Sequence, residues 1–155
     1  MSEGMELQGE YGDEIYRISG HIPNPVLMAA RLMYLKNNHP DLLAQTDKVL
    51  SISDWMAYQL CQVAVSEPTQ AGETCLFDLT KNDWDWEFIQ KLGLYASIFP
   101  RLVATGDKIG LLSEKAAAEL GLPAGIPVAA GGADTQLGLL GLGIVGPGEI
   151  GIIAG

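Results

Sequence analysis

A chain of 155 residues that is 48% hydrophobic can bury a core and would ordinarily form one domain. Nine Lys+Arg against 19 Asp+Glu give a net charge of −10, which argues against a nucleic-acid backbone or an anionic membrane as partner. Two cysteines, Cys61 and Cys75, fit neither a disulfide framework nor a metal-ligand spacing and read as buried reduced thiols; His21 and His39 show no metal spacing either.

In chain order, residues 1–13 hold Glu3, Glu6, Glu10 and Asp13 with few large apolar groups and no clear period, so a loosely ordered N-terminal segment is predicted. Asn24-Pro25 reads as a cap and first-turn proline, and Met28, Leu32 and Leu35 form one face of a helix ending near His39-Pro40. Residues 49–52 suggest a short apolar strand, after which Ser53 would cap a helix from Asp54 to about Cys61. Trp55 and Tyr58 share a face of that helix and suit core packing or stacking on a sugar ring. Residues 64–79 read as an ordered loop in which Glu67 and Asp78 would bond backbone, and Arg31 suits a surface or ion-paired position. Helices follow over 84–92, closed by Gly93, and over 114–120, capped by Ser113 and closed by Gly121. A buried strand is predicted over 128–130 and another from Glu149, with an apolar helical run between them. From Leu137 to Val145 that run is too short and too glycine-rich to span a bilayer and reads as buried; Gly138, Gly141 and Gly143 would pack against a neighbouring backbone. Strands separated by helices make the fold class α/β.

The most informative stretch runs from Pro127 to Gln136 (P-V-A-A-G-G-A-D-T-Q). Two glycines allow a tight turn and close approach of a ligand, and Asp134 opens the helix. The positive end of a helix favours a negative charge at that position. Asp134 could orient a hydroxyl and take its proton, although a lone G-G-x-D by itself favours an N-cap and nothing more. Thr135 and Gln136 follow it, and at least one should face the same pocket, where it could bond a polyol.

Five segments, in order, resemble the FGGY family of carbohydrate kinases. R-L-M-Y-L-K-N-N at 31–38 is similar to the family's K-x-x-W-L-x-x-N helix, with Arg31 and Tyr34 replacing lysine and tryptophan. S-D-W-M-A-Y-Q-L at 53–60 resembles S-D-(W/Y)-L-x-Y-x-L, and S-E-P-T-Q-A-G-E-T-C-L-F-D-L at 66–79 parallels T-D-x-S-x-A-S-x-T-x-L-F-D-L, with Glu67 in place of Asp. Asp83-Trp84 comes next, and G-L-P-A-G-I-P-V at 121–128 leads into G-G-x-D. Within the family, S-D-W-M-A-Y and G-A-D-T-Q-L-G-L-L-G-L-G look most like autoinducer-2 kinases and xylulose kinases.

The resemblance implies a partial actin-like, ribonuclease-H-like α/β domain, with residues 14–155 as the C-terminal part of the family's N-terminal domain and a second, ATP-binding domain beyond Gly155. It implies transfer of the γ-phosphoryl group of MgATP, with ATP and Mg²⁺ as cofactors, to a hydroxyl of a small ketose, polyol or autoinducer-2-like sugar. Asp134 would be the catalytic carboxylate, Asp134, Thr135 and Gln136 would bind substrate, and Gly155 would approach phosphate; no metal ligand is assigned. A cytoplasmic setting, a homodimeric parent and inactivity of the 155-residue chain alone are further expectations. Two other classes stay open. A dinucleotide-binding α/β domain would need the G-x-G-x-x-G order that G-G-A-D lacks, and a non-catalytic interaction module would need exposed apolar surface.

Overall fold

The computed structural model describes residues 2–152, and its first element corrects the reading of residues 1–13 as loosely ordered. Helix α1 spans Ser2–Ser19, with Leu7 and Ile15 buried. Its apolar stripe is one residue wide: Leu7, Tyr11 and Ile15 recur every four positions among acids and glycines, so composition hides the period. Tyr11 meets the Phe88 ring edge-on at 5.6 Å. Gly4 is where α1 touches the following loop, since a Cβ there would lie 2.7 Å from the Pro25 nitrogen.

Helix α2 (Met28–Asn38) starts later than Asn24-Pro25 suggests. The Asn24 side chain accepts a bond from the Val26 amide, so Pro25 sits in a turn before the helix and Leu27 is the N-cap. Helix α3 (Pro40–Ala44) follows. Residues 49–52 form no strand: Val49 donates to the Ile98 carbonyl, and Ile52 already opens helix α4 (Ile52–Cys61), capped by Ser51 rather than Ser53.

Residues 64–79 contain more than a loop. Strand β1 (Val65–Ser66) lies parallel to β4 (Arg101–Leu102), helix α5 (Pro68–Gly72) follows directly, and β2 (Phe77–Asp78) pairs antiparallel with β3 (Asp83–Trp84). Helix α6 (Trp86–Lys91) is capped by Asp85 and ends before Gly93, whose φ is +68°. Strand β5 (Lys108–Leu111) pairs antiparallel with β6 (Pro127–Ala129), and α7 (Glu114–Leu120) lies between them with the Ser113 cap and the left-handed Gly121 that the sequence predicts. The α/β class holds, with strands in two-stranded pairs.

A large core joins α1, α2, α6 and the β2/β3 pair around Leu7, Leu32, Leu76, Phe77 and Phe88. Trp84 lies in it and gives its indole N–H to the Pro100 carbonyl at 2.8 Å, so the buried donor is satisfied. Two smaller clusters lie under α4, α7 and the β5/β6 pair: Val65, Ile109 and Ala130 in one, Leu112, Ala116 and Ala117 in the other. Both cysteines are free thiols; Cys75 is buried, whereas Cys61 is only half-buried. Burial pushes the Cys75 thiol up to about 11.

The C-terminal region departs most from expectation. Helix α8 (Asp134–Gly141) has no buried residue, and Leu140 is 57% exposed, because no described element packs over its outer face. Gly141 and Gly143 face open space rather than a backbone. Ala130 is buried and Val128 half-buried, but Ala129 points outward, as a strand on an open pair must. Residues 149–152 form no strand; Glu149 accepts bonds from the Val145 and Gly146 amides in a local turn. No helix among the described residues is long and apolar enough to cross a membrane.

Candidate active site

The turn between β6 and α8 is held on one side by the loop before β5. The Ala130 amide donates to the Asp107 carbonyl at 2.8 Å, and the Gly106 amide donates to the Ala130 carbonyl at 3.0 Å. Gly131 faces open space, but Gly132 is closely surrounded: a Cβ there would sit 3.1 Å from Leu137 Cγ and 3.3 Å from Thr105 Cγ2. Ala133 is the N-cap of α8, in extended conformation and with no side chain to cap. Asp134 is therefore the first helical residue and not the cap that the alternative reading requires.

Asp134, Thr135 and Gln136 are all exposed on the first turn of α8, so the structure brings the three expected substrate-binding residues together. Asp134 Oδ1 accepts the Thr135 amide at 2.7 Å, and the Thr135 hydroxyl lies 3.4 Å from the same oxygen. Oδ2 has no hydrogen-bond partner among the described residues. The arrangement fixes one oxygen and leaves the other open to a hydroxyl.

Behind the turn lies a narrow cleft of about 30 Å³, room for a water, lined by Asp54, Ser66, Glu67, Gln70, Gly131 and Gly132. Asp54 is buried, and loss of solvent pushes its carboxyl above the usual range, with the charge of Glu67 adding to the effect; hydrogen bonds from Ser51 and Ser66 oppose it. Glu67 is buried beside it and is the N-cap of α5: its carboxylate accepts the Thr69 amide at 2.9 Å, the Gln70 amide at 2.7 Å, the Thr69 hydroxyl at 2.6 Å and the Thr105 hydroxyl at 2.9 Å. The Thr69 hydroxyl in turn accepts the Ala133 amide at 2.7 Å.

Asp78 also holds backbone, through the Thr80 and Lys81 amides, but in the β2/β3 turn. Trp55 is 48% exposed on α4 and Tyr58 half-buried, so neither anchors the core, and Arg31 is exposed on α2. Sequence reasoning missed Thr69 and Thr105. Glu67-Pro68 carries a usable signal, an acceptor followed by proline at a first helical position; the Ala133 partner of Thr69 lies 64 residues away, and Thr105 lies 38 residues from Glu67, so neither leaves a local trace.

Among the described residues no group of three or more His, Cys, Asp and Glu side chains could hold a metal ion, and Gly155 lies outside them. This donor set does not fit Mg²⁺ by itself; it fits a neutral hydroxyl brought to Asp134.

The class that fold and site define is that of the sugar-kinase N-terminal domains, actin-like in architecture: the chain superposes on the xylulose kinase from Rhodospirillum rubrum with a TM-score of 0.84 at 26% identity, covering 95% of this chain and 30% of that one. Residues 3–141 match the N-terminal domain of the FGGY family of carbohydrate kinases, and the chain belongs to that family. It is 38% identical over 158 residues to the autoinducer-2 kinase of Escherichia coli (strain K12), covering 100% of this chain and 29% of the relative. Over 125 residues it is 43% identical to YoaC of Bacillus subtilis (strain 168), whose sugar-kinase name is provisional, covering 81% of this chain and 26% of YoaC. The chain thus spans well under a third of the length of these relatives.

Proposed function

We propose that the protein containing this chain transfers the γ-phosphoryl group of MgATP to a hydroxyl of a small ketose, polyol or autoinducer-2-like sugar, in the cytoplasm, where ATP is held. The observation that carries this reading is the Asp134 carboxylate, exposed on the first turn of α8 with Oδ2 unengaged by any described residue. The names of the autoinducer-2 kinase and xylulose kinase relatives support the substrate class. Phosphoryl transfer asks little covalent chemistry of the protein, so the work is orientation and charge placement. MgATP, when bound, supplies the electrophilic phosphorus. Asp134 Oδ2 would orient the acceptor hydroxyl and take its proton as that oxygen bonds to the γ-phosphorus and the bond from that phosphorus to the bridging oxygen breaks, ADP leaving with the bond's electrons, while Thr135 and Gln136 would hold neighbouring hydroxyls.

The test is Asp134→Asn in the full-length kinase with a panel of ketoses and polyols. Asn keeps the size but cannot take a proton, so turnover should fall about a hundredfold or more. Near-normal turnover would end the catalytic assignment. The 155-residue chain alone should yield no sugar phosphate.

A further inference from the structure

Resting on that reading of Asp134, we propose that Thr69, gripped by Glu67, is a positioning residue that fixes the entry of the chain into α8 and so aims the Asp134 carboxylate. The Ala133 amide belongs to the Gly132–Ala133 peptide, one residue before Asp134, and its acceptor is the Thr69 hydroxyl at 2.7 Å. A hydroxyl can rotate; this one cannot wander, because its own proton is given to Glu67 Oε1 at 2.6 Å. Glu67 is itself immobilised by two amides of α5 and by the Thr105 hydroxyl, and it is buried. Thr105 also approaches the turn: a Cβ on Gly132 would lie 3.3 Å from Thr105 Cγ2. The turn is thus tied both to α5 and to the loop before β5, and the tie to α5 ends one residue from Asp134.

Independent support comes from what else could hold that turn. Helix α8 buries none of its residues among those described, and its N-cap alanine offers no side-chain bond. The Ala133 methyl is buried, but no residue of α8 itself is, and the Thr69 tether is the long-range polar contact made by the N-cap residue. Small misplacements of a reacting group are costly in rate, whereas loss of one partly buried hydrogen bond is a modest change in stability. The role therefore separates from a purely structural one in the balance of turnover against stability.

The experiment compares Thr69→Val, Thr69→Ser and Asp134→Asn in the full-length kinase, with kcat and KM for its best sugar, thermal unfolding, and hydrogen exchange of the peptide spanning 131–137. Val fills the same volume without a hydroxyl, so kcat should fall about tenfold with KM within about twofold, and exchange at the Ala133 amide should quicken. Ser restores the hydroxyl and should return kcat to within about twofold of the parent. Should Thr69→Val fail to fold, Thr69→Ala removes the same hydroxyl without bulk and is read in the same way. A Val or Ala variant with parental kcat, in an enzyme that Asp134→Asn inactivates, overturns the positioning role and leaves the Asp134 assignment standing. Normal turnover of Asp134→Asn overturns the Asp134 assignment and the aiming role together, whatever the exchange data show.

Discussion

Ser51 and Asp54 cap helix α4 reciprocally: the Ser51 hydroxyl accepts the Asp54 amide at 3.2 Å, and the Asp54 carboxylate accepts the Ser51 amide at 3.2 Å. Two of the helix's unpaired N-terminal donors are satisfied this way, one of them by a buried carboxylate. Ser51→Ala should cost about 1 kcal/mol of stability, measured by denaturant unfolding. An unchanged midpoint would mean that water replaces the cap without loss.

The raised Asp54 carboxyl has an opposite consequence for pH. The folded state holds this proton to higher pH than the unfolded chain does, so the contribution is fully present below the ordinary carboxylate range and is lost as pH rises through the raised value. Asp54→Asn should flatten that mildly acidic fall in stability, which a series of urea titrations across it would reveal.

Asp78 behaves in the other sense. Its carboxyl is held down to about 2, chiefly by the Thr80 hydroxyl, with the Thr80 and Lys81 amides and the Lys81 ammonium adding to the effect against partial desolvation. Between about pH 4 and 2 the unfolded chain binds the proton and the folded one does not, so stability present above the unfolded value disappears as the solution is acidified. Asp78→Asn should be less stable than the parent at neutral pH and should lose less on going from pH 4 to pH 2. Parallel curves for the two proteins would contradict the assignment.

The paired glycines of the turn should differ. Gly131→Ala meets open space and should change stability by no more than about 0.5 kcal/mol. Gly132→Ala places a methyl against Leu137, which can turn outward, and against Thr105, which is held by Glu67 and cannot easily move. A loss of about 1 kcal/mol is expected, together with altered turnover in the full-length kinase. Equal behaviour of the two variants would show that the turn relaxes freely.

Because Ala133 is the cap of α8, Asp134→Ala removes no N-cap bond, only the exposed one that Asp134 Oδ1 accepts from the Thr135 amide. Its stability should fall by no more than about 0.5 kcal/mol, the scale of one exposed carboxylate near a helix start. A loss of 1 kcal/mol or more in thermal unfolding would restore the capping role that the geometry denies it.

Much of this was legible in the chain itself, and the failures share a cause. Ser113 and Gly121 bracket α7 as written because both ends are set by residues touching their own helix. Helix α1 leaves little trace in the sequence because its burial rests on Leu7, Tyr11 and Ile15, spaced thinly among glutamates, and on a glycine whose purpose lies at Pro25. The apolar content of the run from Leu137 to Val145 predicts burial, but burial depends on what lies across from it. At the site, the Gly-Gly-Ala-Asp turn could be read from local chemistry, whereas the Thr69 to Ala133 bond joins residues that no periodicity relates.

The uneven division of the core implies a ranking of lifetimes. Amides in α1, α2 and α6 lie over the large cluster and should open only with the whole domain, whereas those in α7, α8 and the β5/β6 pair lean on three-residue clusters or on none. Asp134 lies on the part expected to open sooner, so under the role proposed for it the carboxylate should lose its orientation whenever that part detaches from α5. A ligand that bridges α8 to the rest of the protein would slow this opening as it binds, and the protection it confers at residues 131–141 would measure its grip.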